Sequence, residues 1–355
     1  MRSIDHRYQD PLDLIWLACA RELDIEVVRS SEVYASFDGA RVLTLSSHQH
    51  FDADDSLAQL IFHELCHGLV AGERGQRKVD WGMENIDQRD LTQEHACHRV
   101  QAALADRHGL RAFFAVTTDH RAYWDALPID PLGPGEDLAI PFAREAFERA
   151  AEGRWAGPLQ RALARTAALA ETMRSLELPA DSLWRRTRSL HASGFPLGDD
   201  QHDTCGECAW GHGRVDDLRC RQLTSTRNDR RRGPRRGKLT ASLPGCVRFE
   251  PKLVAASCAS CGACCREGFD RVELTQREHT RRASEGLLRL VVVDGFGPHV
   301  PRPGGLCVAL DRRAATLPAP SYTCAIYPER PQACADFAVG GDACLTARRR
   351  VGLSV

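Results

Sequence analysis

The residues with the clearest chemical capacity lie in the segment HELCH, where His63 and His67 are four positions apart and Glu64 follows the first histidine. Residues four apart share one face of a helix, so the two imidazoles can bind the same metal ion. Glu64 would then lie beside the ion, where a carboxylate can take a proton from a water molecule that the metal activates. The segment predicts a catalytic metal site with Glu64 as base. The alternative is an amphipathic helix with two surface histidines.

The surrounding residues predict that this segment is helical. Ser56 and the acidic residues before it can cap the helix and favour its N-terminal dipole. Apolar residues recur at helical spacing and could bury one face: Leu57, Leu60, Ile61, Leu65 and Leu69. Gly72 can end the helix. We therefore expect one helix that carries both histidines and stops at Gly72.

Zinc and iron sites usually need a third protein ligand, and its candidates lie in a second predicted helix at residues 90–110. Glu94 is 27 residues after His67, near the start of this helix. His98 lies four residues later on the same face, and His95 is a further candidate. We predict that His63, His67 and Glu94 bind the metal, with the two later histidines as alternatives to Glu94. With zinc, this set would leave one position open for water.

This arrangement resembles the gluzincin metallopeptidases, in which a glutamate from a following helix completes a ligand set with two histidines. Strand-like residues 25–29 and 41–46 flank a turn with Asp38 and Gly39, which predicts a hairpin. Strands followed by two ligand-bearing helices make up a minimal zincin core. The resemblance implies zinc and attack of the activated water on a peptide carbonyl.

A second resemblance is local and closer in wording. The segment HELCHGLVAGERGQRKVDWGMENID is similar to the elongation factor P hydroxylase family, in which an HExxH helix leads into a comparable VAG, a basic stretch and an Asp-aromatic-Gly segment. The matching residues are Val70, Ala71, Gly72, Arg74, Arg77, Asp80, Trp81 and Gly82. The similarity covers about residues 55–125 and lacks the aromatic run that follows in the family. It implies iron at the same site and hydroxylation of a lysine on a protein.

The C-terminal third holds the densest group of soft metal ligands. The segment CASCGACC begins the group, CVALD follows, and CAIYPERPQAC completes the pattern. This order resembles the YkgJ-type cysteine-cluster family, which implies chelation of zinc or iron. Thiolates select zinc or iron–sulfur clusters, and two-residue gaps let one turn aim two sulfurs at one centre. The predicted ligands are Cys258, Cys261, Cys264, Cys265, Cys307, Cys324 and Cys334, with Cys344 close behind. We expect one cysteine of the adjacent pair 264–265 to serve a second site or none.

Another group of cysteines precedes this region. Cys205 and Cys208 form a CxxC pair, and Cys220 and Cys246 follow at wider spacing. Four thiolates are the number required for a tetrahedral structural zinc site, which we predict here. The alternatives are a centre shared with the downstream cysteines, or no metal. Two nearby histidines could replace a thiolate: His202 and His212.

Composition limits the partners of the chain. Its 355 residues carry a formal net charge of −1, so no overall field favours nucleic acid or acidic membranes. Fifteen cysteines without a secretory signal indicate a reducing compartment, and we expect the cytoplasm rather than a disulfide framework. No segment approaches the ~20 apolar residues of a membrane span. The basic run at residues 227–238 has no interleaved aromatics and is expected to be a solvated loop. We expect a protein or peptide substrate and no membrane partner. We do not expect nucleic acid, and binding of the basic run to RNA or another acidic partner is the alternative.

The sequence as a whole predicts an α+β fold in four parts. These are a zincin-like domain at residues 1–125, a helical connector at 126–200, the four-cysteine segment at 201–250 and an irregular cysteine-rich domain at 251–355. The connector should contain three helices, the last at residues 181–190. The predicted function is a zinc metallopeptidase-like hydrolase fused to a zinc- or iron–sulfur-binding domain. The alternatives are an iron-dependent side-chain hydroxylase with the cysteine cluster as redox centre, and a metal-binding or maturation factor without turnover.

Overall fold

The computed structural model of the chain describes residues 5–84, 88–117, 119–223, 239–259, 261–281, 284–311 and 322–354. The chain divides into two compact units, Met1–Leu197 and Gly198–Val355. Helices and small sheets occur together, which confirms the predicted mixed α+β class. No helix in the described ranges is long and apolar enough to cross a membrane. The basic run at residues 227–238 lies outside the described residues, so its expected loop stays a prediction.

The N-terminal unit is built from helices around one small sheet. Its helices are α1 (Pro11–Glu22), α2 (Leu57–Gly75), α3 (Leu91–Asp106), α4 (Arg121–Asp125), α5 (Ala139–Ala150) and α6 (Gly153–Arg174). Its strands are β1 (Glu26–Ser30), β2 (Ala35–Phe37) and β3 (Val42–Ser46). Helix α2 packs against α1, α3 and α5, so the helix with the HELCH segment lies in the middle of the unit.

The sheet has the order β1–β3–β2, with β1 parallel and β2 antiparallel to β3. The predicted hairpin between residues 25–29 and 41–46 is therefore wrong. The turn at Asp38 joins β2 to β3, and its carboxylate Oδ1 accepts the N–H groups of Ala40, Arg41 and Val42 at 2.7–2.9 Å. The sequence did not predict strand β2, because three residues are too few to show the alternation of apolar and polar residues that marks a strand.

The apolar core of this unit includes the segment that we expected to be a connector. The buried rings of Trp16, Phe62 and Phe114 have centroids 4.8–5.4 Å apart. The indole Nε1 of Trp16 donates to Thr166 Oγ1 at 3.1 Å, which joins α1 to α6 and satisfies the buried N–H. Helix α5 packs on α2 and α3. Residues 126–197 therefore belong to the same folded unit as the HELCH helix.

The helix predicted at residues 181–190 is reduced to a single 3₁₀ turn, Leu183–Arg186. Thr187 adopts an extended conformation, and the next N–H, of Arg188, donates to the Gly109 carbonyl at 2.8 Å. This tertiary hydrogen bond takes the donor that a longer helix would have used. The helical spacing of residues in the sequence could not predict this tertiary hydrogen bond.

The C-terminal unit consists of short elements. Its helices are α7 (Ala255–Ala259), α8 (Gln276–Arg281), α9 (Glu285–Leu288), α10 (Gln332–Ala335) and α11 (Asp342–Arg350), with a π-helical turn at Cys264–Gly268. Its strands are β4 (Gly211–Arg214), β5 (Asp217–Cys220), β6 (Val272–Glu273), β7 (Val292–Asp294), β8 (Gly297–Val300), β9 (Leu310–Asp311) and β10 (Thr323–Cys324). They pair as β4–β5, β6–β8–β7 and β9–β10, all antiparallel. Its buried apolar clusters are small, so apolar burial holds little of this unit together.

Candidate metal centres

Helix α2 carries both histidines of HELCH and is interrupted shortly after them. Gly72 has φ 64° and ψ −174°, outside the helical region, and a further turn continues to Gly75. Arg149 of α5 donates Nη1 to the carbonyl oxygens of Leu69 at 2.6 Å and Val70 at 3.3 Å. The guanidinium thus binds carbonyl groups next to the interruption. The predicted helix end at Gly72 is a break within α2.

The two histidines and Glu94 meet at one point between α2 and α3. The Nε2 atoms of His63 and His67 are 2.9 Å apart. Glu94 Oε1 lies 3.3 Å from His63 Nε2, and its Oε2 lies 3.4 Å from His67 Nε2. The side chain of His67 is 2% exposed and that of Glu94 15%. The structure therefore brings the three expected ligands together in a place largely closed to solvent.

Hydrogen bonds on the far side of the His63 ring direct its lone pair toward this point. Gln101 Nε2 donates to the Phe114 carbonyl at 2.9 Å, so its Oε1 is the atom that faces His63 Nδ1, also at 2.9 Å. His63 must then carry its proton on Nδ1 when neutral, which leaves Nε2 as a ligand. His67 Nδ1 lies 3.5 Å from Met83 Sδ, a weak acceptor. In metal-binding histidines, the ring nitrogen that does not bind the metal typically has such a hydrogen-bond partner.

His98, the alternative third ligand, lies at the same centre one turn after Glu94. Its Nε2 is 3.1 Å from Glu94 Oε1, but the contact lacks hydrogen-bond geometry. Both ring nitrogens are buried, and neither has a hydrogen bond to any part of the chain that the structure describes. His63, Glu94 and His98 form a group whose ligand atoms all lie within 4.8 Å of one another.

Two more histidines lie close to this group. His95, another alternative ligand, stacks on Tyr123 with ring centroids 3.6 Å apart and planes 7° apart. Arg99 fixes this tyrosine by donating Nε–H to its hydroxyl at 2.6 Å. His120 has its ring centroid 5.2 Å from that of His98. Sequence reasoning did not single out His120, because it follows no spacing that relates it to α2 or α3.

Glu64 is held by a tryptophan from an unusual turn. Trp81 Nε1 donates to Glu64 Oε2 at 3.0 Å. Asp80, Trp81 and Gly82 have φ values of 49°, 61° and 74°, a left-handed conformation that costs non-glycine residues about 1–3 kcal/mol each. The indole stacks on Phe37 at 3.9 Å, and the Phe37 N–H donates to Asp80 Oδ1 at 2.9 Å. These contacts hold the turn that aims the indole at the carboxylate.

Glycines of α2 make room for this indole. A Cβ atom at Gly68 would lie 2.8 Å from Cζ3 of Trp81 and 3.0 Å from Cη2 of Trp155. A Cβ atom at Gly75 would lie 2.7 Å from the Trp81 carbonyl oxygen. Any larger residue would push the tryptophan away from Glu64. Gly68 and Gly75 thus serve close packing.

We expect Trp81→Phe to reduce the free energy of unfolding by about 1.5–3 kcal/mol, because the ring can still stack on Phe37 while a buried carboxylate loses its donor. The metal content should not change. Urea unfolding and metal counting measure the two effects. Trp155→Phe is the matched control, since Trp155 packs on the same Gly68. An equal loss in both variants would show that ring size, and not the N–H, matters.

The charges at the centre favour cation binding. Burial raises the pKa of Glu94, but the charge of His67 and the contacts with His63 and His98 outweigh burial and hold this pKa well below its usual range. Burial lowers the pKa of His67 and lowers that of His98 to about 4. Burial also lowers the pKa of His63, but Glu94 outweighs it and raises that pKa to about 9. At neutral pH the carboxylate is ionised and the imidazoles of His67 and His98 are neutral, which are their metal-binding forms, and a metal ion would displace the proton that His63 holds.

Eight cysteines of the C-terminal unit line a single cavity of about 100 Å³. They are the seven predicted ligands and the following cysteine: Cys258, Cys261, Cys264, Cys265, Cys307, Cys324, Cys334 and Cys344. Apolar side chains complete the lining, among them Val272, Val300 and Ile326. The cavity therefore gathers thiols from α7, the π-helical turn, β10, α10 and α11 in an apolar surrounding.

Three of these thiols interact directly. Hydrogen bonds with the Cys265 side chain lower the pKa of Cys264 and of Cys307. The same hydrogen bonds raise the pKa of Cys265 above its usual range. The backbone supports the contact, because the Cys307 N–H donates to the Cys265 carbonyl at 3.1 Å. Both members of the adjacent pair 264–265 thus line one cavity, and the expectation that one of them serves a second site or none stays a prediction.

The four cysteines predicted to bind zinc lie in one part of the C-terminal unit, around a tight turn, and their role as ligands stays a prediction. The Cys208 N–H donates to the Cys205 carbonyl at 3.4 Å, and the Gly211 N–H donates to the Cys208 carbonyl at 3.0 Å. Cys220 on β5 pairs with Gly211, and Cys205 and Cys220 each interact electrostatically with Cys246 and Cys208. Burial raises the pKa of Cys205 to about 11 and that of Cys220 to about 12. Within the described ranges, no three thiols of either cysteine group lie within 4.8 Å of one another, so the N-terminal centre is the tightest.

Comparison with known proteins bears on the C-terminal unit. Residues 257–348, about a quarter of the chain, match the family model described as "CxxCxxCC: Putative zinc- or iron-chelating domain". This match confirms the predicted resemblance of the cysteine cluster and its zinc- or iron-chelating character. The searches of curated proteins and of solved structures each returned no match. The zincin-like and hydroxylase-like interpretations of the N-terminal unit stay predictions.

Proposed function

We propose that the N-terminal unit is a metal-dependent enzyme, joined in one chain to a unit that chelates zinc or iron. The proposal rests on one observation. The Nε2 atoms of His63 and His67 and the carboxylate of Glu94 converge to 2.9–3.4 Å in a largely buried place. Buried titratable groups that converge in this way are typical of functional sites.

The residues fit a divalent metal ion. Two imidazole nitrogens at 2.9 Å with lone pairs toward each other need a cation or a proton between them. The ionised carboxylate favours a positive charge at the same point. Two imidazoles and one carboxylate suit both zinc and iron. Gln101 fixes the His63 tautomer, as partners of metal-binding histidines do.

Glu64 would perform the proton transfer. A bound ion would polarise an oxygen of water or of the substrate, which is the chemistry that metals supply in hydrolases. Glu64 follows a ligand on α2 and would accept a proton and return it to the leaving group. The Trp81 N–H fixes one carboxylate oxygen, so the other is left to exchange the proton. This arrangement supports hydrolysis of a protein or peptide.

One observation favours a second reaction, iron-dependent hydroxylation of a protein side chain. His98 reaches the same carboxylate as the other two histidines, at 3.1 Å. The local similarity to the elongation factor P hydroxylase family points to the same reaction. Thiolate-bound iron in the C-terminal unit would supply electrons from within the chain.

We expect Glu64→Gln to abolish cleavage of a fluorogenic peptide mixture while the protein keeps its metal, because glutamine retains the acceptor for Trp81 but cannot take a proton. Rates and metal content measure the two effects. Glu73→Gln, an exposed position of the same helix, is the control. Unchanged cleavage in the Glu64 variant, or loss of its metal, would contradict the role of proton carrier.

Metal analysis of anaerobically purified protein separates the candidate reactions. Zinc without acid-labile sulfide supports hydrolysis with closed thiolate sites. Iron beyond the amount that sulfide accounts for supports hydroxylation, which should require dioxygen and a reductant. If neither peptide cleavage nor oxygen uptake occurs with the metal-loaded protein, the chain is a metal-binding factor without turnover.

A further inference from the structure

We infer that His98 is a fourth protein ligand of the N-terminal ion, which makes the centre a set of three imidazoles and one carboxylate. The inference rests on the proposed metal site and deepens it. It concerns which ion the site prefers and how many positions the ion keeps for substrate. Its basis is the environment of one buried side chain.

His98 is 1% exposed, and both of its ring nitrogens are without a hydrogen bond to any described residue. Leaving buried polar atoms unsatisfied costs about 1–3 kcal/mol for each group. The neighbouring His63 shows what a satisfied imidazole looks like here, since Gln101 binds its Nδ1 at 2.9 Å. A cation at the Glu94 carboxylate would give the buried Nε2 of His98 the partner that it lacks among the described residues.

The spacing of three donors fits one ion, since the ligand atoms of His63, Glu94 and His98 all lie within 4.8 Å of one another. Metal bonds to imidazole and carboxylate are about 2.0–2.2 Å, so donors around one ion lie about 3–4 Å apart. The Nε2 of His98 is 3.1 Å from Glu94 Oε1, and the Nε2 of His63 is 3.3 Å from the same oxygen. The Nε2 of His67 lies 2.9 Å from that of His63. Glu94 and His98 are one turn apart on α3, opposite two histidines one turn apart on α2.

Four protein donors change the chemistry of the site. A tetrahedral zinc ion with four protein ligands has no position left for water, as in closed structural zinc sites. A six-coordinate ion such as ferrous iron would keep two open positions, as in oxygenases that bind iron through histidine and carboxylate. The fourth ligand therefore favours the hydroxylation reaction over zinc-dependent hydrolysis.

The test uses Mn²⁺ as probe in the full chain, after the N-terminal centre has been emptied of metal and elemental analysis shows that the thiol sites still hold theirs. Manganese prefers carboxylate and imidazole to thiolate, and its electron paramagnetic resonance reports free and bound ion separately. We expect His98→Ala to weaken Mn²⁺ binding more than ~100-fold, like His67→Ala, because residues behind the ligands cost only ~10–100-fold. His50→Ala, which removes an exposed histidine outside the centre, is the control and should change affinity little.

His98→Gln is a second variant, used in case His98→Ala does not fold. Glutamine keeps a polar side chain of similar length. Nitrogen coupling to bound Mn²⁺ should fall from three imidazoles to two in this variant. A change in affinity below ~100-fold with unchanged nitrogen coupling would overturn the inference and make His98 a neighbour of the site. If His63→Ala and His67→Ala also leave Mn²⁺ binding intact, the metal site itself fails, an outcome distinct from failure of His98 alone.

Discussion

Glu94→Ala is expected to abolish Mn²⁺ binding by the N-terminal unit and leave the metal of the C-terminal unit unchanged. The carboxylate contacts His63, His67 and His98 at 3.1–3.4 Å, so its removal leaves converging imidazoles without the charge that attracts a cation. Removing a ligand that all the others contact should reduce affinity by more than the ~10–100-fold typical of residues behind the ligands.

Two measurements check this expectation on the same sample. Paramagnetic resonance titration gives Mn²⁺ affinity, and elemental analysis gives zinc and iron per chain. Glu73→Ala, an exposed carboxylate on α2, controls for the loss of one negative charge. Normal Mn²⁺ binding by the Glu94 variant would mean that the ion, if any, lies elsewhere in the chain.

Removal of metal by a chelator is expected to unfold much of residues 198–355 while residues 1–197 stay folded. The described apolar clusters of the C-terminal unit are small, whereas the N-terminal unit has an extensive buried core. Metal binding in small thiolate domains supplies about 10–16 kcal/mol, comparable with the whole stability of a domain, about 5–15 kcal/mol.

Hydrogen exchange before and after metal removal measures this difference unit by unit. We expect loss of protection in β4–β10 and α7–α11, and retained protection in α2, α3 and α5. Cys265→Ser should weaken the C-terminal unit in the same way, whereas Cys19→Ser in α1 should not. Full protection of the C-terminal unit in protein proven free of metal would contradict a structural role for the ions.

The N-terminal site shows how far sequence reasoning reaches. Helical spacing alone brought His63 and His67 to one face, and the same rule placed Glu94 and His98 together on α3. Residue spacing did not show which of Glu94 and His98 is the third ligand, because both side chains lie at the centre. It also did not identify His120 as a neighbour of the site. The support of Glu64 by Trp81 depends on a left-handed turn that no periodicity predicts.

The elements of the fold likewise fall into those that the sequence predicts and those that it does not. Apolar periodicity located α2, α3 and the helices of residues 139–174, since one face of each is buried. It failed where tertiary hydrogen bonds decide the backbone, as at Thr187 and in the parallel pairing of β1 with β3. In the C-terminal unit the cysteine pattern identified thiols that line one cavity. The helices and strands around them are too short to be predicted from residue spacing.

The left-handed turn at residues 80–82 has a consequence for how related chains can be recognised. Its backbone admits asparagine, aspartate or glycine with little strain and excludes β-branched residues. Its middle side chain must reach across to the carboxylate of the HELCH helix, which restricts that position to a large aromatic ring with an N–H donor. A chain with the same support for its carboxylate should therefore show a small acidic or amide residue, a tryptophan and a glycine a fixed distance after its second histidine, opposite a glycine in the helix itself. Such a pattern would separate chains that share this site from the many that carry HExxH by chance.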